Sequence, residues 1–365
     1  MPEKTRKGLE KAGIDLIHGK ATFQNENILS VNGQALTASW IVLATGAKPV
    51  SLPIDGAQHV IDSTAFLELE KLSQRIVFIG GGFISFEFAH FAAQLGPAGN
   101  QTTILEAGPR PLGPFDSEMV DLLAEASAHE GIDIYCGVDI RAIESTDTAF
   151  RITLKDGTPF ETDLVVHGAG REPDISDLNL DRAGIDHEKQ GIVVNAQMQT
   201  TNPHVFAVGD CVATIQLARV ADLEAQVAAA NIRHLATKHS LLSVVDYTVV
   251  PSLLFTYPQY GMVGATEDEL IKKNTVYQKS FAKNLSWATY QRVGMKNAAY
   301  KLLMGDNGLL LGAHILSDNA SGLLNTLSVA MANTIPMADL YRRSVLAPYP
   351  SRESDLLYML NPFAP

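Results

Sequence analysis

The chain has little cysteine, no cationic excess and no sustained apolar run, and each shortage removes a class of function. Only two cysteines occur in 365 residues, Cys136 and Cys211. They lie too far apart for a Cys-x-x-Cys or zinc spacing, which excludes a disulfide framework and fits a reduced, cytoplasmic setting. Cys136 is expected to pack within the strand Ile132–Cys136. Cys211 has no histidine or basic cluster beside it and reads as a buried structural thiol. Lys and Arg number 28 against 40 Asp and Glu, a net charge of −12, so no field draws this surface toward nucleic acid or anionic lipid. No apolar leader follows Met1, and the uncharged stretch from Ser321 to Ala338 is interrupted by Asn325, Asn333 and Pro336, so no membrane span is expected. The ten histidines are scattered without a His-x-x-x-His pair and neighbouring Glu, so no metal site is expected.

What the chain does have is order. Arg75 to Gly80 is a short β-branched and aromatic run that passes through Gly81-Gly82 into a helical stretch, Phe83 to Leu95, stopped by Gly96-Pro97. Thr102 to Glu106 is the next strand, completing a βαβ unit whose near-continuous apolar character suits a parallel sheet covered on both faces. A second helix is expected over Asp116 to Glu130, with Met119, Leu122, Leu123 and Ala126 at helical spacing. An echo runs through the chain. Asn32-Gly33 is a hairpin signal followed fourteen residues later by Gly46, at the end of Trp40 to Pro49. Asp156-Gly157 is followed at the same spacing by Gly170, at the end of Leu164 to Pro173. Two copies of hairpin, apolar strand and small-residue turn imply two domains of related build, of which only the second carries a glycine turn ahead of its hairpin. An alanine-rich helix is expected from about Ala218 to His239. The section after about Tyr247 reads as a separate α+β domain with an antiparallel sheet, its strands within Val249 to Phe255, Tyr300 to Met304 and Leu309 to Ile315, and a helix around Ala320 to Ala332.

Gly80-x-Gly82-x-x-Ser85 stands where a dinucleotide fingerprint belongs. Gly80 serves the tight turn, Gly82 the close approach of a pyrophosphate, and a small third residue the packing of helix on strand. Ile84, in the first helical turn, is counted with them as a candidate contact. The helix start offers unpaired N–H groups to phosphates. Glu106 ends the following strand, where a carboxylate accepts from both adenine-ribose hydroxyls and repels a 2′-phosphate, which favours NADH over NADPH. Arg110, four residues on, serves a phosphate on the opposite reading and is a solvated loop residue on the plain one. Asp210 lies just beyond the apolar run Val205 to Val208, at the carboxyl edge where open α/β sheets bind ligands. A simple Gly-Asp turn is the equal alternative. Phe83, Phe86, Phe88 and Phe91 read as helix-to-sheet packing.

Six segments occur together and in order: LATGAKP (Leu43 to Pro49), GGGFISFEFA (Gly80 to Ala89), GAGREPD (Gly168 to Asp174), TTNPHVFAVGD (Thr200 to Asp210), PSLLFTYPQYGMVG (Pro251 to Gly264) and LGAHILSDNASGLLN (Leu311 to Asn325). With them the chain resembles the class I pyridine nucleotide–disulfide oxidoreductases, which include glutathione reductase, dihydrolipoamide dehydrogenase and mercuric reductase. The resemblance implies an α/β flavoprotein with two Rossmann-like dinucleotide-binding domains and a C-terminal α+β interface domain. An FAD domain in two pieces, 1–60 and 173–246, would flank an NAD(P) domain over 61–172, with residues 247–365 forming a homodimer. Carried over by position, Asp210 holds the ribityl and phosphate end of FAD. Leu217 and Ala218 present backbone near the flavin ring, and Thr45 and Gly46 lie against the cofactor. Glu87 stands beside the nicotinamide and Gly170 borders it.

Departures from the family pattern are equally informative. The family's first Gly-x-Gly-x-x-Gly and its Cys-x-x-x-x-Cys pair are absent from the sequence and would precede residue 1, so the chain is expected to begin partway through its FAD domain. The C-terminal His-Pro-Thr-Leu-Ser-Glu is represented by Tyr349-Pro-Ser-Arg-Glu-Ser354. Tyr349 takes the histidine's place, as a proton donor and a poor neutral-pH base, and Ser354 the glutamate's. Two readings follow. One is an FAD-dependent NAD(P)H oxidoreductase passing electrons to an unassigned acceptor. The other is a remnant that binds nucleotide and dimerises but holds FAD weakly or not at all.

Overall fold

Strand alternation in the centre of the chain sorts its apolar residues onto two faces of one parallel sheet. In this computed structural model, which describes residues 2–238 and 242–364, the sheet runs Leu164–His167, Arg75–Ile79, Gln101–Glu106, Ile132–Cys136 in spatial order. Ile76, Phe78, Ile104 and Val166 join one core. Val77, Ile79, Leu105 and Val165 join another on the opposite face, which is why the strands read as unbroken apolar runs. The helix Phe83–Leu95 follows the glycine turn, and the helix Ser117–His129 begins where Asp116 caps it by accepting from Met119 N at 3.2 Å. The expected hairpin at Asp156-Gly157 joins Phe150–Leu154 to Pro159–Thr162.

The chain divides into two compact units, Met1–Lys48 with Arg171–Asp246, and Pro49–Gly170 with Tyr247–Pro365. In the first, Ile28–Val31 turns through Asn32 and Gly33, both at positive φ, into Gln34–Thr37. The strand Ile41–Leu43 pairs in parallel with Val205–Ala207, and the core takes Phe23, Ile41 and Leu43 from one piece and Leu178, Ile192, Val205 and Val212 from the other. The alanine-rich helix is Ala218–Thr237, and His239 lies outside the described residues.

In the second unit the C-terminal section forms the expected antiparallel sheet. Its order is Ser252–Leu254, Gln259–Gly264, Leu310–Ser317, Ala299–Gly305, Tyr277–Lys283, and the helix Ala320–Ala332 packs on it. It packs against the nucleotide-binding fold within the same compact unit. Leu254, Tyr260, Ala299 and Leu316 share a core with Phe78, Phe86 and Ile104. An ion cluster ties the same two parts together. Lys301, 1% exposed, reaches Asp116 at 2.8 Å, Glu118 at 2.9 Å and Glu267 at 2.7 Å. Asp116 also accepts from Glu267 N at 3.0 Å. Burial by itself pushes Glu267 up, but donation from Lys301, Lys279 and Tyr277 outweighs it and brings the carboxyl down to about 2.

Two packing expectations need correction. Cys136 sits at the end of its strand as expected but is exposed, while Cys211 is buried, its thiol directed at the carbonyls of Val208 and Leu43. Phe86 and Phe88 pack inside, yet Phe83 and Phe91 are 52% and 40% exposed. At about 100° per residue, 83, 87 and 91 form a stripe on the face opposite the core, so Glu87 lies between two exposed rings.

Candidate functional site

Gly80 has φ +95°, a conformation open to glycine, and a Cβ there would overlap the Ala169 backbone. Its N–H donates to Leu105 O at 2.8 Å, which seats the turn over the sheet edge. Gly82 is the helix N-cap and supplies no side-chain cap, so the first-turn N–H groups of a 13-residue helix are left for a ligand. A Cβ at 82 would meet only Gly168 O, at 3.5 Å. Ser85 is fully buried, with Oγ unpaired among the described residues and pressed against Gly168, where any Cβ would collide with it. Its third-position role is therefore packing of helix against strand. Ile84 is half-buried in the first turn and Gly170 is exposed past the end of Leu164–His167.

Glu106 closes the turn from the side. Its carboxylate accepts from Gly81 N and, at 2.5 Å, from Gly108 N, binding the end of its strand to the glycine loop. A carboxylate offers about four lone-pair directions, so two bonds of this kind leave acceptor capacity for a ribose diol. Arg110 is half-buried in the loop that follows. Its guanidinium donates to Gly113 O at 2.6 Å and to Phe115 O at 3.1 Å, pinning the loop that Leu112 N ties to Gly81 O at 2.9 Å.

Glu87 is half-buried one turn into the helix, and its Oε1 accepts from Phe255 N at 3.0 Å. Burial pushes this carboxyl up and the Phe255 N–H partly offsets the rise. Tyr349 is 69% exposed on the surface and makes no hydrogen bond to Glu87. The residues after it are committed elsewhere. Ser351 and Ser354 cap each other at 3.2 Å, Glu353 accepts from Asn319 Nδ2 at 3.1 Å, and Arg352 binds both oxygens of Asp318 at 2.6 and 2.9 Å while stacking on Tyr290 at 3.7 Å. Among the described residues no carboxylate hydrogen-bonds the Tyr349 hydroxyl.

In the first unit, Thr45 and Gly46 follow the strand Ile41–Leu43, and Gly209 and Asp210 follow its neighbour Val205–Ala207, so both loops leave from adjacent carboxyl ends. Glu224, fully buried on the helix Ala218–Thr237, accepts from Gly209 N at 2.6 Å and from Thr214 Oγ1 at 2.7 Å. Sequence reasoning passed over it, although an acid in the stripe Val220, Glu224, Val227 is the mark of a buried polar task. Asp210 is half-exposed, and no described residue hydrogen-bonds its carboxylate. Leu217 is the helix N-cap without a side-chain cap, so the N–H groups at Ala218 and beyond are available. An unpaired carboxylate and uncapped helix start suit the hydroxyl-rich chain and polar ring edge of a flavin nucleotide. No second glycine fingerprint occurs in this unit to cradle its pyrophosphate.

The sequence profile of the pyridine nucleotide-disulphide oxidoreductases matches residues 2–225, and that of their dimerisation domain matches 250–356. The chain belongs to this oxidoreductase family. Its fold is accordingly α/β, with Rossmann-like dinucleotide binding and a C-terminal dimerisation domain, and the family is FAD-dependent and uses NAD(P)H. It is 30% identical over 352 residues to mercuric reductase of Staphylococcus aureus, spanning 93% of this chain and 62% of that one. Mercuric reductase of Bacillus cereus is 29% identical over 93% of this chain and 54% of its own. Glutathione reductase of Burkholderia cepacia is 30% identical over 91% of this chain and 72% of its own. The oxidoreductase chain thus spans little more than half the length of the two mercuric reductases. The solved structure of the HOCl-induced flavoprotein disulfide reductase RclA from Escherichia coli superposes with a TM-score of 0.88 at 24% identity, covering 98% of this chain and 82% of that one. Among the described residues no helix is long and apolar enough to cross a membrane.

Proposed function

We propose that the protein is an FAD-dependent NAD(P)H oxidoreductase, working in the cytoplasm as a homodimer through its C-terminal domain, that takes NADH in preference to NADPH and passes electrons to a small acceptor. The observation that carries this reading is the glycine turn from Gly80 to Gly82 opening an uncapped helix, with the Glu106 carboxylate beside it. When bound, FAD supplies the hydride acceptor and the route onward for electrons. The chain's own part is binding and orientation. The helix start at Gly82 and Ile84 holds the pyrophosphate of the nicotinamide nucleotide, Glu106 takes the ribose diol, and Glu87 and Gly170 border the nicotinamide. Thr45, Gly46, Asp210, Leu217 and Ala218 hold the flavin side, with Glu224 bracing Gly209. Tyr349 is assigned as a proton donor toward the acceptor.

Preference for NADH is supported by Arg110, whose charge is spent on loop carbonyls. Replacing Glu106 with alanine is expected to weaken NADH binding about tenfold or more and NADPH binding less, since charge-assisted hydrogen bonds contribute about 1.5–3 kcal/mol each. An unchanged ratio of the two dissociation constants would remove the ribose assignment. Asp210→Ala is expected to lower flavin retention by about tenfold on the same grounds. Equal flavin content in the purified wild type and variant counts against it.

The decisive experiment is the visible spectrum of the purified chain after FAD addition, then anaerobic NADH. Stoichiometric flavin that bleaches supports the oxidoreductase reading. The second reading is a nucleotide-binding dimer that holds FAD weakly or not at all. It prevails if the folded chain binds NADH and takes up no flavin.

A further inference from the structure

Besides its apolar contacts, the helix that opens at the glycine turn holds another part of its unit by two backbone N–H groups. The strand Ser252–Leu254 is the edge of its sheet, so the N–H groups on its outer side have no neighbouring strand. Just past it, Phe255 N donates to Glu87 Oε1 at 3.0 Å and Tyr257 N donates to His90 Nδ1 at 3.3 Å. Glu87 and His90 are three residues apart on the helix, close enough for both to reach the N–H groups where the strand gives way to the bend at residues 256–258. Leu254, Thr256 and Pro258 are buried, while Phe255 and Tyr257 between them are 56% and 48% exposed, so these two are placed by their backbone.

His90 is built for the task. Its Nε2 lies 3.1 Å from Ser127 Oγ, and Ser127 spends its own proton on Leu123 O at 2.8 Å. The Ser127 oxygen is therefore an acceptor, Nε2 carries the imidazole proton, and Nδ1 is left to accept from Tyr257. Burial holds the imidazole down to about 4, so it stays neutral and keeps that lone pair at ordinary pH.

We propose that His90 is a positioning residue for the nicotinamide end of the bound nucleotide. By fixing Tyr257 it keeps the Phe255 N–H on Glu87 Oε1, which sets the carboxylate's rotamer and leaves Oε2 for the ligand. This rests on the placement of nicotinamide beside Glu87 proposed above.

The test compares NADH with ADP-ribose, which carries the same adenine, ribose and pyrophosphate groups but no nicotinamide, on the full chain. In His90→Leu, NADH is expected to bind about tenfold more weakly with ADP-ribose changed less than about twofold, the scale of one charge-assisted hydrogen bond misplaced. His90→Asn, whose side-chain oxygen replaces Nδ1 as acceptor, should recover most of the NADH affinity. Phe255→Pro guards against a His90→Leu chain that does not fold, because it deletes only the donor at an exposed side chain that follows an extended residue. It should reproduce the NADH-specific loss. Equal weakening of both ligands, or no change in either, overturns the positioning role. Failure of the unmodified chain to bind NADH overturns the functional reading and this inference with it.

Discussion

Lys301→Met is expected to lower the thermal midpoint of the second unit by about 10 °C, because breaking a buried ion cluster costs roughly 3–5 kcal/mol and each kcal/mol shifts a unit of this size by a few degrees. The variant leaves Asp116, fully buried, without its cation, while Glu267 and Glu118 keep only the more exposed Lys279, at 2.9 and 3.8 Å. The effect has a definite pH dependence. In the wild type Glu267 is held at about 2, below its ordinary 4.5, so its share of stability is present above about 4.5 and is lost as pH falls through 2. The deficit of the variant should therefore be full above about pH 4.5 and shrink as pH falls toward 2. A midpoint within 2 °C of wild type at pH 7 would show that the cluster does not hold the unit together.

Gly80→Ala and Gly82→Ala are expected to fail in opposite ways. At Gly80 the added carbon meets the Ala169 backbone and the residue is held at φ +95°, so the variant should lose more than about 2 kcal/mol of stability. At Gly82 the same carbon has only Gly168 O near it, at an ordinary 3.5 Å, and φ is −84°. That chain should unfold within about 0.5 kcal/mol of wild type, yet bind NADH on the order of a hundredfold more weakly, because the carbon stands where the pyrophosphate must come against the backbone. Chemical denaturation paired with NADH titration separates the two. Equal stability losses, or a Gly82→Ala chain with wild-type affinity, would sink the assignment of one glycine to folding and the other to binding.

The features readable in advance were those written in local periodicity. Asn32-Gly33 announces a hairpin because a two-residue turn at positive φ admits few residues, Asp156-Gly157 because its glycine takes the positive φ of a three-residue loop, and the near-continuous apolar run Ile76 to Ile79 announces a covered parallel strand. What local pattern leaves open is which face of an element meets a distant partner. Phe83 and Phe91 look like core by composition, and only the placement of the sheet shows them on the Glu87 side. Arg110 was weighed as phosphate ligand or solvated residue, while its partners, Gly113 O and Phe115 O, are carbonyls that no residue type reveals. Lys301 lies 185 residues from Asp116, so nothing near either one marks the pair. Nothing in the sequence singles His90 out among the ten scattered histidines. It is packed, but the donor that makes it matter, Tyr257 N, is a backbone group common to nearly every residue.

The first unit's parallel pair has a consequence for how the chain is made. Ile41–Leu43 has its hydrogen-bonded neighbour at Val205–Ala207, and Phe23 is fully buried by residues such as Leu178, Ile185 and Val212. A ribosome adding about 5–20 residues per second needs on the order of ten to thirty seconds to travel from the first strand to the second. Throughout that interval Phe23, Ile41 and Leu43 lack these partners, while the whole parallel sheet of the other unit emerges after them. Ile41–Leu43 is thus a strand that waits for its neighbour, and nascent chains stalled between residues 50 and 200 are where holdase capture and aggregation should concentrate.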